Sequence, residues 1–253
     1  MKASRLPLRV FPGQELLQVQ QLWSQLQSVL NSDAVLRWQR FADHHGGIRD
    51  QNLIEHSYAI TVLGTFVVEK LRPHFPNLDL GFILKALLIH DIGEALLRRD
   101  VSYIEKKATD DVDEYESVKS ALSGLSPELR AMYLEAFLLQ FCLDTDKYSL
   151  FDAEAQETMR LLAASKQWEA RVFNLIEHVD YMMFMLETYR AGNDYLLYQV
   201  LLSSEMAAWE GFRKMIPDVE TLILGVGAKE WLQDFIANYE ASGGDRTPTL
   251  KSR

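Results

Sequence analysis

Between Leu84 and Leu97 the chain reads "LKALLIHDIGEALL", which places a histidine, an aspartate and a glutamate within five residues of an otherwise apolar helical pattern. A buried carboxylate costs several kcal/mol unless a counter-charge, hydrogen bonds or a metal offsets it. His90 shares its helical face with Ile83, Ala86 and Leu87. Two further positions carry the same conflict. His56 lies in "NLIEHSYAITVLGTFVVEKL", on one face with Ile60, Leu63 and Val67. Asp180 lies in "RVFNLIEHVDYMMFMLE", on one face with Phe173, Ile176, Met183 and Phe184. Taken singly, each has an ordinary reading, a hydrogen-bonded core histidine or an aspartate in a buried ion pair. Together, His56, His90, Asp91 and Asp180 form a nitrogen and oxygen donor set suited to one divalent cation. Such a cation lowers the pKa of a bound water molecule and supplies a hydroxide-like nucleophile near neutral pH, so the chemistry in view is hydrolysis. Glu94 falls on the same helical surface as His90 and Asp91. It can serve as a general acid/base or as a carboxylate that orients a ligand, and the sequence favours neither.

These residues need helices to bring them together. Helix formers dominate the chain and strand-like alternation is scarce, so the expected fold is all-α, a single multi-helix bundle with the site in its interior. The pattern predicts helices near 13–30, 33–43, 52–72, 79–97, 111–123, 127–140, 151–165, 168–190, 193–214 and 217–240. Pro127 is expected in a first helical turn, and "YRAGND" is expected to end one helix and cap the next at Asn193 or Asp194. "DDVDEYE" at 110–116 reads as a solvated helix start. The expected organisation is an N-terminal helical extension over 1–32, the main domain over 33–215, a C-terminal helix packed on it over 216–240, and a mobile tail over 241–253.

Composition narrows the function. A net charge of −10 with no basic run argues against a nucleic acid polymer as partner, while leaving room for a small phosphoester held by a metal and one or two arginines. No apolar run approaches the roughly 20 residues of a membrane span, and the first residues lack a signal-peptide core, so a cytoplasmic location is expected. The one cysteine, Cys142 in "LLQFCLD", excludes a cysteine-built zinc site and reads as a buried structural thiol.

"EHS" at 55–57, "HDIGE" at 90–94 and the later Asp180 resemble the H…HD…D signature of the HD-domain metal-dependent phosphohydrolases, over roughly residues 35–215. The resemblance implies that His56, His90, Asp91 and Asp180 bind one divalent metal (Mn, Co, Fe, Ni, Zn or Mg) in an all-α bundle. Within that superfamily the chain is most similar to the bacterial 5′-deoxynucleotidase branch. "LRW" at 36–38 matches an Arg-Trp pair of that branch, Arg49 in "IRDQNLIEHS" matches an arginine before its first histidine, and Asp100 in "LLRRDVS" matches an aspartate after HD-x-x-E. The branch continues there with a Gly-Asp-Leu/Ile-Pro turn, which "RRDVSYIEKK" lacks.

By this likeness Arg37 and Arg49 become phosphate clamps, Trp38 a surface for stacking a base, and Asp100 a contact to a sugar hydroxyl. Asp91 and Glu94 become the catalytic carboxylates, and Glu55 a support for His56 or the partner of an arginine. His178 stands about 160° from the Asp180 face and is not expected at the metal. His44 and His45 lie in a glycine-flanked loop, and none of these histidines completes a two-metal pattern. The expected activity is a metal-dependent release of phosphate from a small phosphoester, foremost a nucleoside 5′-monophosphate. The alternatives are another phosphorylated metabolite, a nucleoside triphosphate, or a non-catalytic nucleotide- or protein-binding module. A homodimer is implied by the family likeness alone.

Overall fold

The fold is all-α. A computed structural model of the chain describes residues 35–37, 51–99, 106–190 and 205–241. Among them, two short strands, β1 (Leu36–Arg37) and β2 (Gln51–Asn52), pair antiparallel with Leu36 opposite Asn52 and Arg37 opposite Gln51. The helices are α1 (Leu53–Leu71), α2 (Leu80–Ile89), α3 (Ile92–Leu97), α4 (Ala108–Ala121), α5 (Pro127–Leu138), α6 (Ala153–Ser165), α7 (Gln167–Arg190), α8 (Glu205–Arg213), α9 (Val219–Leu224) and α10 (Ala228–Ala241). None of these helices is long and apolar enough to cross a membrane.

Local chemistry sets the starts of several helices. The Asn52 side chain accepts the backbone N–H of Glu55 at 2.8 Å, so the residue that ends β2 also caps α1 and fixes where His56 falls on that helix. Asp79 caps α2 through Phe82, Asp152 caps α6 through Ala155, and Ser126 caps α5 with Pro127 in its first turn, as expected.

The core lies where α1, α2, α5 and α7 meet, with Ile60, Val67, Ile83, Leu87, Phe137 and Ile176 fully excluded from water. Each such side chain contributes about 1.5–3 kcal/mol by its burial. Gly64 lets the helices come this close, because a Cβ there would lie 2.5 Å from Leu87 Cδ1 and 3.5 Å from Ile176 Cδ1. A second, small cluster of Val35, Leu53 and Ala95 ties the residue before β1 to the start of α1 and to α3. Cys142 follows a 3₁₀ turn at Leu139–Phe141 and is fully buried, as expected of a structural thiol, and burial pushes its pKa up to about 12.

Four expectations are corrected. Within the stretch expected as a helix near 33–43, Leu36 and Arg37 form a strand, because they pair with Gln51 and Asn52 farther along the chain, and residues 38–43 lie outside the described residues. The helix near 79–97 is two helices jointed at His90 and Asp91, where Asp91 adopts φ −90° and ψ 3°. The helix near 217–240 divides at Gly225 and Gly227, whose φ values of 108° and 83° belong to the region that favours glycine. The acidic stretch at 110–116 is only partly solvated. Asp110 caps the backbone of Lys107, but Asp111 and Glu114 are buried against Lys106 and Lys147. The predicted helix over 13–30 and the caps at Asn193 and Asp194 lie outside the described residues.

Candidate metal centre

Four elements deliver the site. α1 presents His56 one turn after its cap, the joint between α2 and α3 presents His90 and Asp91, α7 presents Glu177 and Asp180, and β1 presents Arg37. The two imidazoles face each other through Nε2, 3.3 Å apart. Asp91 reaches both, with Oδ1 at 3.0 Å from His90 Nε2 and Oδ2 at 3.4 Å from His56 Nε2. Glu177 Oε1 lies 3.1 Å from His90 Nε2 and 3.7 Å from His56 Nε2.

The opposite edge of each ring is fixed by an acceptor. His90 Nδ1 lies 2.9 Å from the Leu87 carbonyl, and His56 Nδ1 lies 2.9 Å from Asp180 Oδ2. A proton on each Nδ1 answers those acceptors, so both Nε2 atoms are turned toward Asp91 and Glu177. The expected ligands His56, His90 and Asp91 are thus brought together. Asp180 meets His56 from behind, and Glu177, one turn earlier on α7, occupies the front. Glu177 is missing from the expected set, although its position three residues before Asp180 puts it on the same helical face.

The charges reinforce one another. Burial disfavours the imidazolium of His90, yet Asp91 and Glu177 outweigh it and hold its pKa well above the ordinary value. In return, and against the cost of their own burial, His90 chiefly keeps the pKa of Asp91 below the carboxylate range and that of Glu177 down to about 2. A proton on His90 therefore stands where positive charge is wanted. One ligand atom each from His56, His90 and Glu177 lie within 4.8 Å of one another. Asp91 Oδ2 and Glu177 Oε1 are buried without a hydrogen-bond partner. Facing imidazole nitrogens and buried carboxylate oxygens of this kind fit a divalent cation.

Around this centre Arg37 is buried, with Nη1 3.6 Å from Asp91 Oδ2 and Nη2 donating to the Tyr181 hydroxyl at 3.2 Å. Glu94 is buried on α3, 3.7 Å from Lys106 Nζ, and Lys106 also pairs with Asp111 at 3.2 Å and Glu114 at 2.8 Å. Glu55, expected beside His56 or an arginine, is exposed and offers only its capped backbone. His178 points elsewhere, packed edge-on against Trp209, and burial lowers its pKa to about 4. On the Asp180 face Phe173, Ile176 and Phe184 are buried, whereas Met183 is exposed. Trp38, Arg49, Asp100, His44 and His45 lie outside the described residues.

No curated protein and no solved structure matches the chain. The family profile of the HD domain matches residues 35–208, a span that holds every residue of the centre. HD domains bind divalent metals and are generally metal-dependent hydrolases. With more than half its length matched, this chain belongs to the HD-domain family.

Proposed function

We propose that the protein is a phosphomonoesterase that releases phosphate from a nucleoside 5′-monophosphate or a close relative, using one divalent cation. The observation that carries this reading is the buried guanidinium of Arg37 next to Asp91, at the edge of the His56, His90, Asp91 and Glu177 cluster. A cationic fork beside a metal centre suits a phosphoryl group, which presents two oxygens at the right separation for it. The cation, when bound, supplies the Lewis acidity that activates water and polarises the phosphoryl oxygen.

His56, His90, Asp91 and Glu177 hold it, and Asp180 orients His56 through Nδ1. Arg37 receives the phosphoryl oxygens and offsets their charge, which would otherwise meet several carboxylates. Hydrolysis places a water oxygen on phosphorus and breaks the bond to the leaving sugar oxygen, which needs a proton. Glu94, one turn past Asp91 on α3, is assigned to that proton transfer, and Lys106 keeps its carboxylate in place. Arg49, Trp38 and Asp100 are assigned, by the likeness to 5′-deoxynucleotidases, to the phosphate, the base and the sugar. The acidic chain favours a small-molecule substrate over a nucleic acid polymer, and a cytoplasmic location and a homodimer belong to the same proposal.

The test is phosphate release from a panel of nucleoside mono-, di- and triphosphates by metal-stripped protein resupplied with Mn²⁺, Co²⁺, Mg²⁺ or Zn²⁺. Release confined to monophosphates, dependent on the metal and absent in Asp91→Ala, is the expected result. An Asp91→Ala variant that equals the wild type in metal content and turnover would overturn the assignment.

A further inference from the structure

We propose that Tyr181 is a positioning residue that fixes Arg37 for the phosphoryl group, an inference that rests on the phosphohydrolase reading. Tyr181 follows Asp180 on α7, and its ring lies parallel to that of His56, the planes within 4° and the centroids 6.2 Å apart. Its hydroxyl accepts Arg37 Nη2 at 3.2 Å, and Arg37 Cζ lies 5.3 Å from the ring centroid. The other arm of the fork, Nη1, is 3.6 Å from Asp91 Oδ2.

Arg37 needs such a hold. It projects from a strand of two residues, and a long, rotamer-rich side chain gains binding strength when its conformation is set before the ligand arrives. The chemistry of the partner matters as well. A phenol is neutral at physiological pH, so its oxygen fixes the guanidinium without cancelling its charge. A carboxylate in the same place would form an ion pair and compete with phosphate. Tyr181 thus orients Arg37 without adding a second carboxylate to the one it already faces in Asp91. The ring adds a second constraint, since one side chain packs along both the metal-ligating His56 and the phosphate-facing Arg37. A single residue of α7 couples the spacing of the two.

The test is Tyr181→Phe, which keeps the ring and removes only the oxygen. Mn²⁺ stoichiometry and the circular dichroism spectrum should match the wild type. The Kd of inorganic phosphate for Mn²⁺-loaded protein, and KM for the best monophosphate, should rise roughly three- to tenfold, as expected for one lost hydrogen bond, while kcat stays within about twofold. In an Arg37→Met background the same substitution should change phosphate affinity no further, because its effect passes through Arg37. Unchanged phosphate affinity and KM in Tyr181→Phe, or a full additive loss in the Arg37→Met background, would overturn the inference while leaving the phosphohydrolase reading intact. Wild-type protein that neither binds phosphate nor releases it from any monophosphate would overturn both, and is recognised by the wild-type measurement alone.

Discussion

His56 meets different carboxylates at its two nitrogens, and this division sets the roles around it. Asp180 takes the Nδ1 side at 2.9 Å, while Nε2 faces Asp91 and Glu177. Removing a carboxylate that orients a ligand commonly lowers metal affinity roughly 10–100-fold. Asp180→Asn should therefore weaken Mn²⁺ binding by about that factor, and Glu177→Gln should weaken it more, both read by calorimetric titration of stripped protein. The reverse order would move Asp180 into the ligand set and Glu177 behind it. At this scale much was legible. His56, His90 and Asp91 were visible as polar residues at apolar positions. Glu177 was legible by helical arithmetic, but it stands beside His178, and the pair reads as one ambiguous feature unless the two are separated by angle. The phenol of Tyr181 gave no signal at all, because a tyrosine in "DYMMF" fits an ordinary amphipathic helix and only the fold shows that Arg37 reaches it.

The joint between α2 and α3 delivers His90 and Asp91 from consecutive positions in different directions, and a glycine locks it. A Cβ on Gly93 would lie 2.6 Å from Glu114 Cβ and 3.0 Å from Glu114 Cα, so α3 rests directly on the backbone of α4. At Gly64 the nearest neighbour is instead the end of a flexible leucine. Overpacking of this kind costs about 1–3 kcal/mol, and Gly93→Ala should sit at or above the upper end while Gly64→Ala sits lower. Urea unfolding of both variants checks the order, and Gly93→Ala should also lose metal affinity because it displaces the joint.

Glu114 adds a pH signature to the same contact. Burial raises its pKa to about 7 despite Lys106 beside it. Between the ordinary carboxylate value and about 7 the folded chain then holds a proton that the unfolded chain has released. The stability contributed by Glu114 is complete at the acid end of that window and is lost as pH rises through 7. Glu114→Gln should flatten this slope and be neutral or stabilising at pH 8, as read from melting temperatures between pH 5 and 8. The joint itself was not legible, since Ile83, Ala86, Leu87, His90 and Glu94 continue one helical period straight through it. The burial of Asp111 was hidden too, because Lys147 lies far along the chain and nothing local marks it as a partner.

For the molecule as a whole, a cation that binds only the folded chain adds RT ln(1 + [L]/Kd) to its stability, about 2.7 kcal/mol at one hundred times Kd. Mn²⁺ should accordingly raise the melting temperature of stripped protein and a chelator should reverse the rise. Because His90 holds its proton unusually tightly, that gain should shrink as pH falls, each metal bound displacing a proton. The all-α class was legible here because it needs only composition and period, which do not depend on which elements meet. The pairing of β1 with β2 was not, since two residues carry no period and their order comes from a partner across the intervening chain.

Cys142 gives this molecule an internal clock. It is the single thiol in the chain, excluded from water beside the bundle core, with a proton that burial binds tightly. A maleimide or disulfide reagent can reach it only when the core opens, so the rate of labelling counts openings rather than surface chemistry. No engineered probe is needed to ask how often the bundle breathes, or whether filling the centre between α1, α2 and α7 makes it breathe less.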